Sequence, residues 1–352
     1  MKPLKVGIIG LGIGKSHIEG YRRNPRCEVV AAADPNDARL AEVADAYGIA
    51  KRFSSGEGLI DAGICDVISV CTPNSFHKDL TIRALRSGAH VLCEKPMAMS
   101  TAEGKEMLEE AEKAGKRLMI NFSYRFTPQA QALKARVAAG HLGTPYYGRT
   151  VWLRRRGMPG FGGWFGDKSL AGGGPLIDLG VHRIDLALWF MGYPEPEYVM
   201  GAVYDPIAAA LAKKEGKAYS VEDLAAGFIR FKNGAALSIE ASWAANIKEN
   251  ELMETRILGT AGGLVHRNID EAYRFEAEFF TEHDGNLWDE RYHERTGWAA
   301  GAKQTVGAMG HFIDALSDGK EHDADGRQGL IVMKLLDALY ESAQTGAPVR
   351  ID

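Results

Sequence analysis

The sequence predicts an α/β chain of two domains. Residues 1–122 read as a doubly wound parallel sheet, and residues 123–352 as an α+β domain on a mainly antiparallel sheet. Three observations carry this. Over residues 5–121, short and continuously apolar runs alternate with amphipathic stretches, the pattern of strands buried on both faces by crossover helices. Beyond residue 122 the strands are longer and mix polar with aromatic residues, and Asn233-Gly234 joins two of them as a tight hairpin. A chain of 352 residues also suits two domains at roughly 150 residues each.

The runs of the first part are KVGIIG, CEVVAAAD, DVISVCT, HVLCE and RLMINFS, with helices expected at residues 36–47, 75–87 and 100–114. In the second part, strands are expected at residues 145–156, 197–204, 251–258 and 272–280, beside the hairpin of AAGFIRF and AALSIEASWAA. The stretch GGGPLIDLGVHRID, residues 172–185, predicts a helix entered from a glycine loop. Helices near residues 303–317 and 328–345 close the chain, and the sequence assigns them no place in the architecture.

Hydrophobic residues make up 45% and charged residues 25%, an ordinary globular composition. The net charge of -4 comes from 42 basic and 46 acidic residues mixed along the chain, so no broad positive field exists to collect nucleic acid. The one basic run, Arg154-Arg155-Arg156, is either a solvated strand end or an anion or substrate contact. The N-terminus lacks the apolar core and cleavage site of a signal peptide, and no apolar stretch approaches the roughly 20 residues of a membrane span. Cys27, Cys65, Cys71 and Cys93 all lie in the first third at spacings that match no zinc motif. A reduced, cytoplasmic protein without a bound metal is expected.

The stretch VGIIGLGIGKSH places Gly10, Gly12, Ile13 and Gly14 between the first strand and a helix. Glycine there permits a tight turn and lets a pyrophosphate approach the backbone at a helix N-terminus. Lys15 stands where a third glycine is expected, so either the loop is shorter or the helix begins earlier. Asp34 ends the second strand, where a carboxylate would accept hydrogen bonds from an adenosine ribose. An acidic group there repels a 2′-phosphate, and the following Pro35 and Asn36 offer no arginine to bind one, which favours NAD over NADP. Thr72, Pro73 and Asn74 lie at the end of the DVISVCT run, and Glu94, Lys95 and Pro96 at the end of HVLCE, the edge where ligands of open α/β sheets bind. His77 taken alone is a helix-surface histidine; its place in CTPNSFH sets it with the cofactor-side residues.

In their order and spacing the glycine loop, Asp34, CTPNSFH, the EKP at residues 94–96 and GGGPLIDLGVH resemble the glucose-fructose oxidoreductase, inositol dehydrogenase and rhizopine-catabolism (Gfo/Idh/MocA) family over nearly the whole chain. The resemblance implies a Rossmann domain, then a domain with a large open antiparallel sheet, the nicotinamide lying in the cleft between them. It implies subunits paired through exposed sheet faces as a homodimer or homotetramer, a cis Lys95–Pro96 peptide, and a catalytic group of Lys95, Asp178 and His182. The compressed glycine loop departs from the family pattern and leaves open which backbone amides meet the pyrophosphate.

The chemistry of these residues suits oxidation of an alcohol by NAD. Histidine titrates near neutrality, so His182 could take the hydroxyl proton and return it. Asp178 lies four residues earlier, on the same face of an α-helix, and could bind a substrate hydroxyl or orient the imidazole. The Lys95 ammonium could stabilise a developing alkoxide, and Lys95 and His182 both qualify as the final base. Asp185, a turn further on, is expected to be structural. The glycines before this helix would let the backbone pass close to nicotinamide or substrate. Trp152, Arg154, Arg156, Phe161, Trp164 and Phe165 suit a pyranose ring or simply cover a core. Arg156, Trp164 and the Tyr124 of NFSYRFTP are candidate substrate contacts. Three function classes follow: an NAD-dependent dehydrogenase or ketoreductase of a sugar, glycoside or polyol; a redox-assisted lyase or glycosidase that regenerates NAD within each turnover; and a non-catalytic nucleotide-binding sensor, which Lys95, Asp178 and His182 together argue against.

Overall fold

The alternating apolar runs form a six-stranded parallel sheet in the computed structural model, which describes residues 2–293 and 307–351. Its elements are β1 (Leu4–Ile9), α1 (Gly14–Arg22), β2 (Cys27–Ala33), α2 (Asp37–Tyr47), β3 (Lys51–Phe53), α3 (Gly56–Asp61), β4 (Val67–Val70), α4 (His77–Arg86), β5 (His90–Cys93), α5 (Thr101–Ala114) and β6 (Leu118–Ile120). The strand order β3-β2-β1-β4-β5-β6 reverses direction between β1 and β4, which makes the carboxyl ends of those strands the place for a ligand. The helices start where short polar side chains can cap them: Asn36 accepts from Arg39 N, and Ser100 from Glu103 N. β3 was not expected, since the exposed Lys51 and Arg52 beside a half-buried Phe53 make no apolar run.

The second part of the chain contributes α6 (Pro128–Ala138), β7 (Pro145–Arg154), α7 (Lys168–Ala171), α8 (Val181–Met191), β8 (Pro196–Tyr204), α9 (Pro206–Glu215), β9 (Leu224–Phe231), β10 (Ala236–Ser242), β11 (Glu251–Gly259), β12 (Gly262–Ile269), β13 (Arg274–His283) and β14 (Asn286–Arg291). After these come α10 (Ala308–Asp318), α11 (Gly326–Thr345) and β15 (Val349–Arg350). The nine-stranded sheet runs β14-β13-β12-β11-β7-β10-β9-β8-β15 and is antiparallel except at β7/β10. The Asn233-Gly234 hairpin joins β9 to β10 as expected. β12 and β14 were not anticipated, and β7 stops at Arg154, short of the expected residue 156. Helix α10 begins at Ala308; residues 303–306 of its expected span lie outside the described residues.

Chain contacts divide these elements into two units, Met1–Phe122 with Val306–Met333 and Ser123–Thr305 with Lys334–Asp352. In the first, α10 packs on α1 with Gly20 against Met309, and Asn24 and Arg26 reach Asp314 at 3.0 and 3.2 Å. In the second, one face of the large sheet is covered by α8 and the later part of α11. Gly148 gives way to Met191, and a Cβ on Gly201 would meet the Leu339 carbonyl oxygen at 2.5 Å. The opposite face carries Tyr198, Met200, Tyr204 and Phe228, all exposed, with Met200 directly paired to Phe228. Among the described residues, no helix is long and apolar enough to cross a membrane.

Candidate active site

At the carboxyl edge of the parallel sheet, each glycine of the first loop has a separate duty. Gly10 has φ +88°, and a Cβ there would meet the Cys71 carbonyl oxygen at 2.5 Å. A Cβ on Gly12 would meet nothing within 4 Å among the described residues, and one on Gly14 would press Ile8 of β1 at 2.9 Å. Tight turn, open backbone approach and close helix-strand packing are the three glycine functions of a dinucleotide loop, here met by a loop one residue shorter because α1 starts at Gly14. Ile13 precedes α1 without a side-chain cap, its own side chain 51% exposed, and no acidic residue occupies the first turn. The helix N-terminus is therefore open to an anion.

Asp34 is buried at the end of β2, its Oδ2 accepting from Leu11 N and its Oδ1 from Asn36 N, both at 2.9 Å. It thus pins the glycine loop, and its remaining lone pairs can still serve a ribose. Arg39 lies 3.4 Å from the same carboxylate, a basic neighbour that the reading of Pro35 and Asn36 alone did not include. Thr72 Oγ1, beyond β4, is buried with no hydrogen-bond partner among the described residues, and Pro73 and the buried Asn74 follow it. Taken together, the glycine cradle, the uncapped helix end, Asp34 and Thr72 fit a nicotinamide dinucleotide.

His77 is the clearest correction. It is fully buried, with Nδ1 2.8 Å from Pro96 O and Nε2 3.0 Å from Thr72 O. A surface histidine was expected because nothing in its own helix indicates that two loops close over it. Burial pushes its pKa down, against the two carbonyls, which favour the charged form. Those carbonyls bridge the ends of β4 and β5, so His77 fixes the position of the EKP loop, in which Lys95–Pro96 is cis. Within that loop Glu94 is buried, receiving Asn121 Nδ2 at 2.5 Å and lying 2.7 Å from His17 Nε2. Burial raises the Glu94 pKa, but the hydrogen bond and charge of His17, then Asn121 and Lys95, bring it down to about 2. Lys95 follows, half-buried.

In the second unit, the helix carrying Asp178 and His182 begins with a π-helical turn, Leu176–Gly180, in which Val181 N donates to Leu176 O. The extra residue disturbs the i, i+4 alignment expected of a pure α-helix, and π-turns recur at functional sites. The Asp178 carboxylate accepts Trp243 Nε1 at 3.0 Å. The His182 imidazole, mostly buried, sits edge-on to Tyr124 at 5.0 Å and tilted against Trp152 at 5.9 Å. Trp152 donates Nε1 to Glu251 Oε1 at 2.7 Å, an oxygen shared with Arg154 Nε and with Tyr273. Trp152 is therefore core, as one of its two readings held. Arg183 is fully buried beneath Tyr124, Trp152 and Phe275, its guanidinium carbon 4.8 Å from the Tyr124 ring centroid. Burial lowers its pKa to about 10, so it stays charged near neutrality.

Trp164 stacks on Phe165 at 3.8 Å, and Phe165 meets Trp243, so an aromatic series runs from Trp164 to the indole bonded to Asp178. Arg156 is exposed, donates to Asn246 Oδ1 at 2.8 Å, and adjoins Gly157, whose N–H reaches Trp243 O. Gly173 and Gly174 have a packing duty that the expectation did not include. A Cβ on Gly173 would strike the Tyr340 hydroxyl, and one on Gly174 the Glu222 carbonyl oxygen. Close packing within this unit requires Gly173 and Gly174, and Gly172 ends α7 at φ +84°. Trp243, Glu222 and Glu251 were not singled out from the sequence; Glu222-Asp223 just before an apolar strand was the visible signal for the second of them.

Two family descriptions match this chain: an oxidoreductase family with an NAD-binding Rossmann fold over residues 4–122, and the C-terminal α/β domain of the same oxidoreductases over residues 134–351. The chain belongs to the Gfo/Idh/MocA oxidoreductase family. Among relatives, it is 36% identical to a D-glucoside 3-dehydrogenase of Escherichia coli (strain K12), covering 99% of this chain and 98% of that one. It is 29% identical to a D-xylose 1-dehydrogenase (NADP(+)) of Haloferax volcanii, covering 99% and 98%. A solved levoglucosan dehydrogenase in complex with NADH and levoglucosan superposes with a TM-score of 0.86 over 100% of both chains at 26% identity. As a Gfo/Idh/MocA member the chain is an oxidoreductase, with a Rossmann unit and an α/β unit on a mainly antiparallel sheet. Among the described residues, no group of His, Cys, Asp and Glu could hold a metal ion.

Proposed function

We propose that this oxidoreductase transfers hydride between NAD and a carbinol carbon of a sugar, glycoside or polyol. The observation that carries the reading is Asp178 and His182 on one π-initiated helix, each against an indole. Those buried indoles hold the two polar groups in place, and the half-buried Trp164–Phe165 stack beside Trp243 offers an apolar face to a ring-shaped polyol. The named activities of the relatives support it. Bound NAD supplies the hydride acceptor. His182 takes the hydroxyl proton, the Lys95 ammonium stabilises the negative charge developing on oxygen, and Asp178 orients a substrate hydroxyl. Tyr124, Arg156 and Trp164 complete the substrate contacts; burial raises the Tyr124 phenol pKa, which keeps it a donor. The cofactor would lie against Gly10, Gly12, Ile13, Gly14, Asp34, Thr72, Pro73, Asn74, Glu94 and Lys95, with His77 holding the loops. The test is a screen of free sugars, glycosides and polyols with NAD, reading NADH formation and product structure together. Substrate cleavage that needs NAD but yields no NADH would replace a dehydrogenase with a redox-assisted lyase, and no turnover of any polyhydroxy compound would end the reading.

NAD is the preferred cofactor, because a 2′-phosphate would meet the Asp34 carboxylate. Arg39, paired to that carboxylate, becomes available once it is removed. Asp34→Ala is therefore expected to weaken NAD and strengthen NADP, closing the gap between them by about tenfold or more, one to two hydrogen bonds to a charged group being worth roughly 1.5–3 kcal/mol each. Calorimetric titration of both nucleotides checks it; tighter NADP binding by the unmutated protein would overturn the preference. The four described thiols are unpaired, which suits a reducing, cytoplasmic setting.

The exposed face of the large sheet, with Tyr198, Met200, Tyr204 and Phe228, is proposed as the contact between copies in a homodimer or homotetramer. Phe228→Glu is expected to shift the protein toward monomer in size-exclusion chromatography with light scattering. An unchanged mass would remove this face from the interface.

A further inference from the structure

The Glu222 carboxylate occupies the end of the segment that leads into the Asp178–His182 helix. Its Oε2 accepts Gly174 N at 2.9 Å and its Oε1 accepts Leu176 N at 3.1 Å and the Tyr340 hydroxyl at 2.8 Å. Glu222 is 7% exposed, so these bonds lie out of competition with water. Both amides are donors that a helix start leaves without an intrahelical acceptor, and a negative charge at this end also opposes the positive pole of the helix. Tyr340 stays a neutral donor, its pKa pushed up by burial and by Glu222. Tyr219 donates to Glu222 O at 2.8 Å, which holds the backbone of Glu222, and the absence of a Cβ at Gly173 and Gly174 lets both partners close in. The bonded amides bracket the entry to the π-turn, two residues before Asp178.

We propose that Glu222, oriented by Tyr340, is a positioning residue for the active site. Its carboxylate sets the start and the π-register of the helix and so the placement of Asp178 and His182. This rests on the reading of those two residues as the reacting groups. A carboxylate is required because all three donors need acceptors, whereas glutamine would turn one oxygen into a donor facing a donor.

The test compares Glu222→Gln and Tyr340→Phe with Ile229→Val, a core substitution on β9 where Ile229 pairs with Val199 and Leu237. For each, hydrogen exchange of the peptide spanning residues 174–185, NAD affinity, KM and kcat on the substrate from the screen are measured. Expected for Glu222→Gln are faster exchange in that peptide, unchanged NAD affinity and a kcat lower by on the order of 10²-fold, the cost of displacing a reacting group by about an ångström. Tyr340→Phe should lie between it and the parent. Ile229→Val should leave peptide exchange and kcat alone. Unchanged exchange in Glu222→Gln, or faster exchange with full kcat, would overturn the proposal. If the parent turns over no polyhydroxy substrate, the proposed function falls, while the exchange measurement still decides whether Glu222 holds the helix start.

Discussion

His182→Ala is expected to lower kcat by ~10²–10⁴-fold, the contribution of a positioned general base, while leaving NAD affinity close to that of the parent. Lys95→Ala should act in the same direction by ~10²–10³-fold, as loss of one donor to a developing oxyanion does. In the proposed function, nucleotide affinity comes from the glycine loop, the α1 N-terminus and Asp34, and proton transfer from His182. The imidazole sits against Tyr124 and Trp152 with little exposure, so some thermal stability will be lost. His182→Gln, closer in size and still polar, separates that loss from chemistry, since it should recover much of the midpoint and little of the turnover. Steady-state kinetics beside calorimetric NAD titration makes the measurement. A folded, NAD-binding double variant, His182→Ala with Lys95→Ala, that keeps full turnover would remove both residues from the reaction.

How far the sequence could be read depended on whether a signal was local. β4, β5 and β6 and the carboxyl halves of β1 and β2 are buried and so appear as continuous apolar runs; β3 sits at the sheet edge with Lys51 and Arg52 exposed and leaves no run. Gly10, Gly12, Gly14 and Asp34 were legible because turn and strand end lie within one βαβ unit. His77 was not, because its burial depends on carbonyls of loops after two different strands. The Asp178–His182 helix was legible as a helix, but its π-turn has no signature in the residues. The partners that hold it, Trp243 and Glu222, lie 65 and 46 residues away from the groups they bond. The packing duty of Gly173 and Gly174 was hidden for the same reason. They looked like space for a ligand, and the atoms that need the space belong to Tyr340 and Glu222.

One turn beyond His182, Asp185 should respond in the opposite way. Its carboxylate receives Arg125 Nε at 2.8 Å, a second contact from Arg125 Nη2, and the Tyr193 hydroxyl at 2.8 Å, with both charged side chains buried. A paired buried charge gains back its desolvation only through such contacts, and removing one partner leaves the other uncompensated, at about 3–5 kcal/mol. Asp185→Ala is therefore expected to lower the unfolding midpoint by on the order of 10 °C. Replacing both partners, Asp185→Leu with Arg125→Met, should cost less than Asp185→Ala alone, because no buried charge is then left without its counter-ion. At a temperature where Asp185→Ala is still folded, kcat should fall far less than in His182→Ala. Calorimetric unfolding with parallel kinetics checks both halves. A variant of Asp185 with the parent's midpoint but greatly reduced kcat would move this aspartate from the framework into the reacting group, and the division of labour along the helix would have to be redrawn.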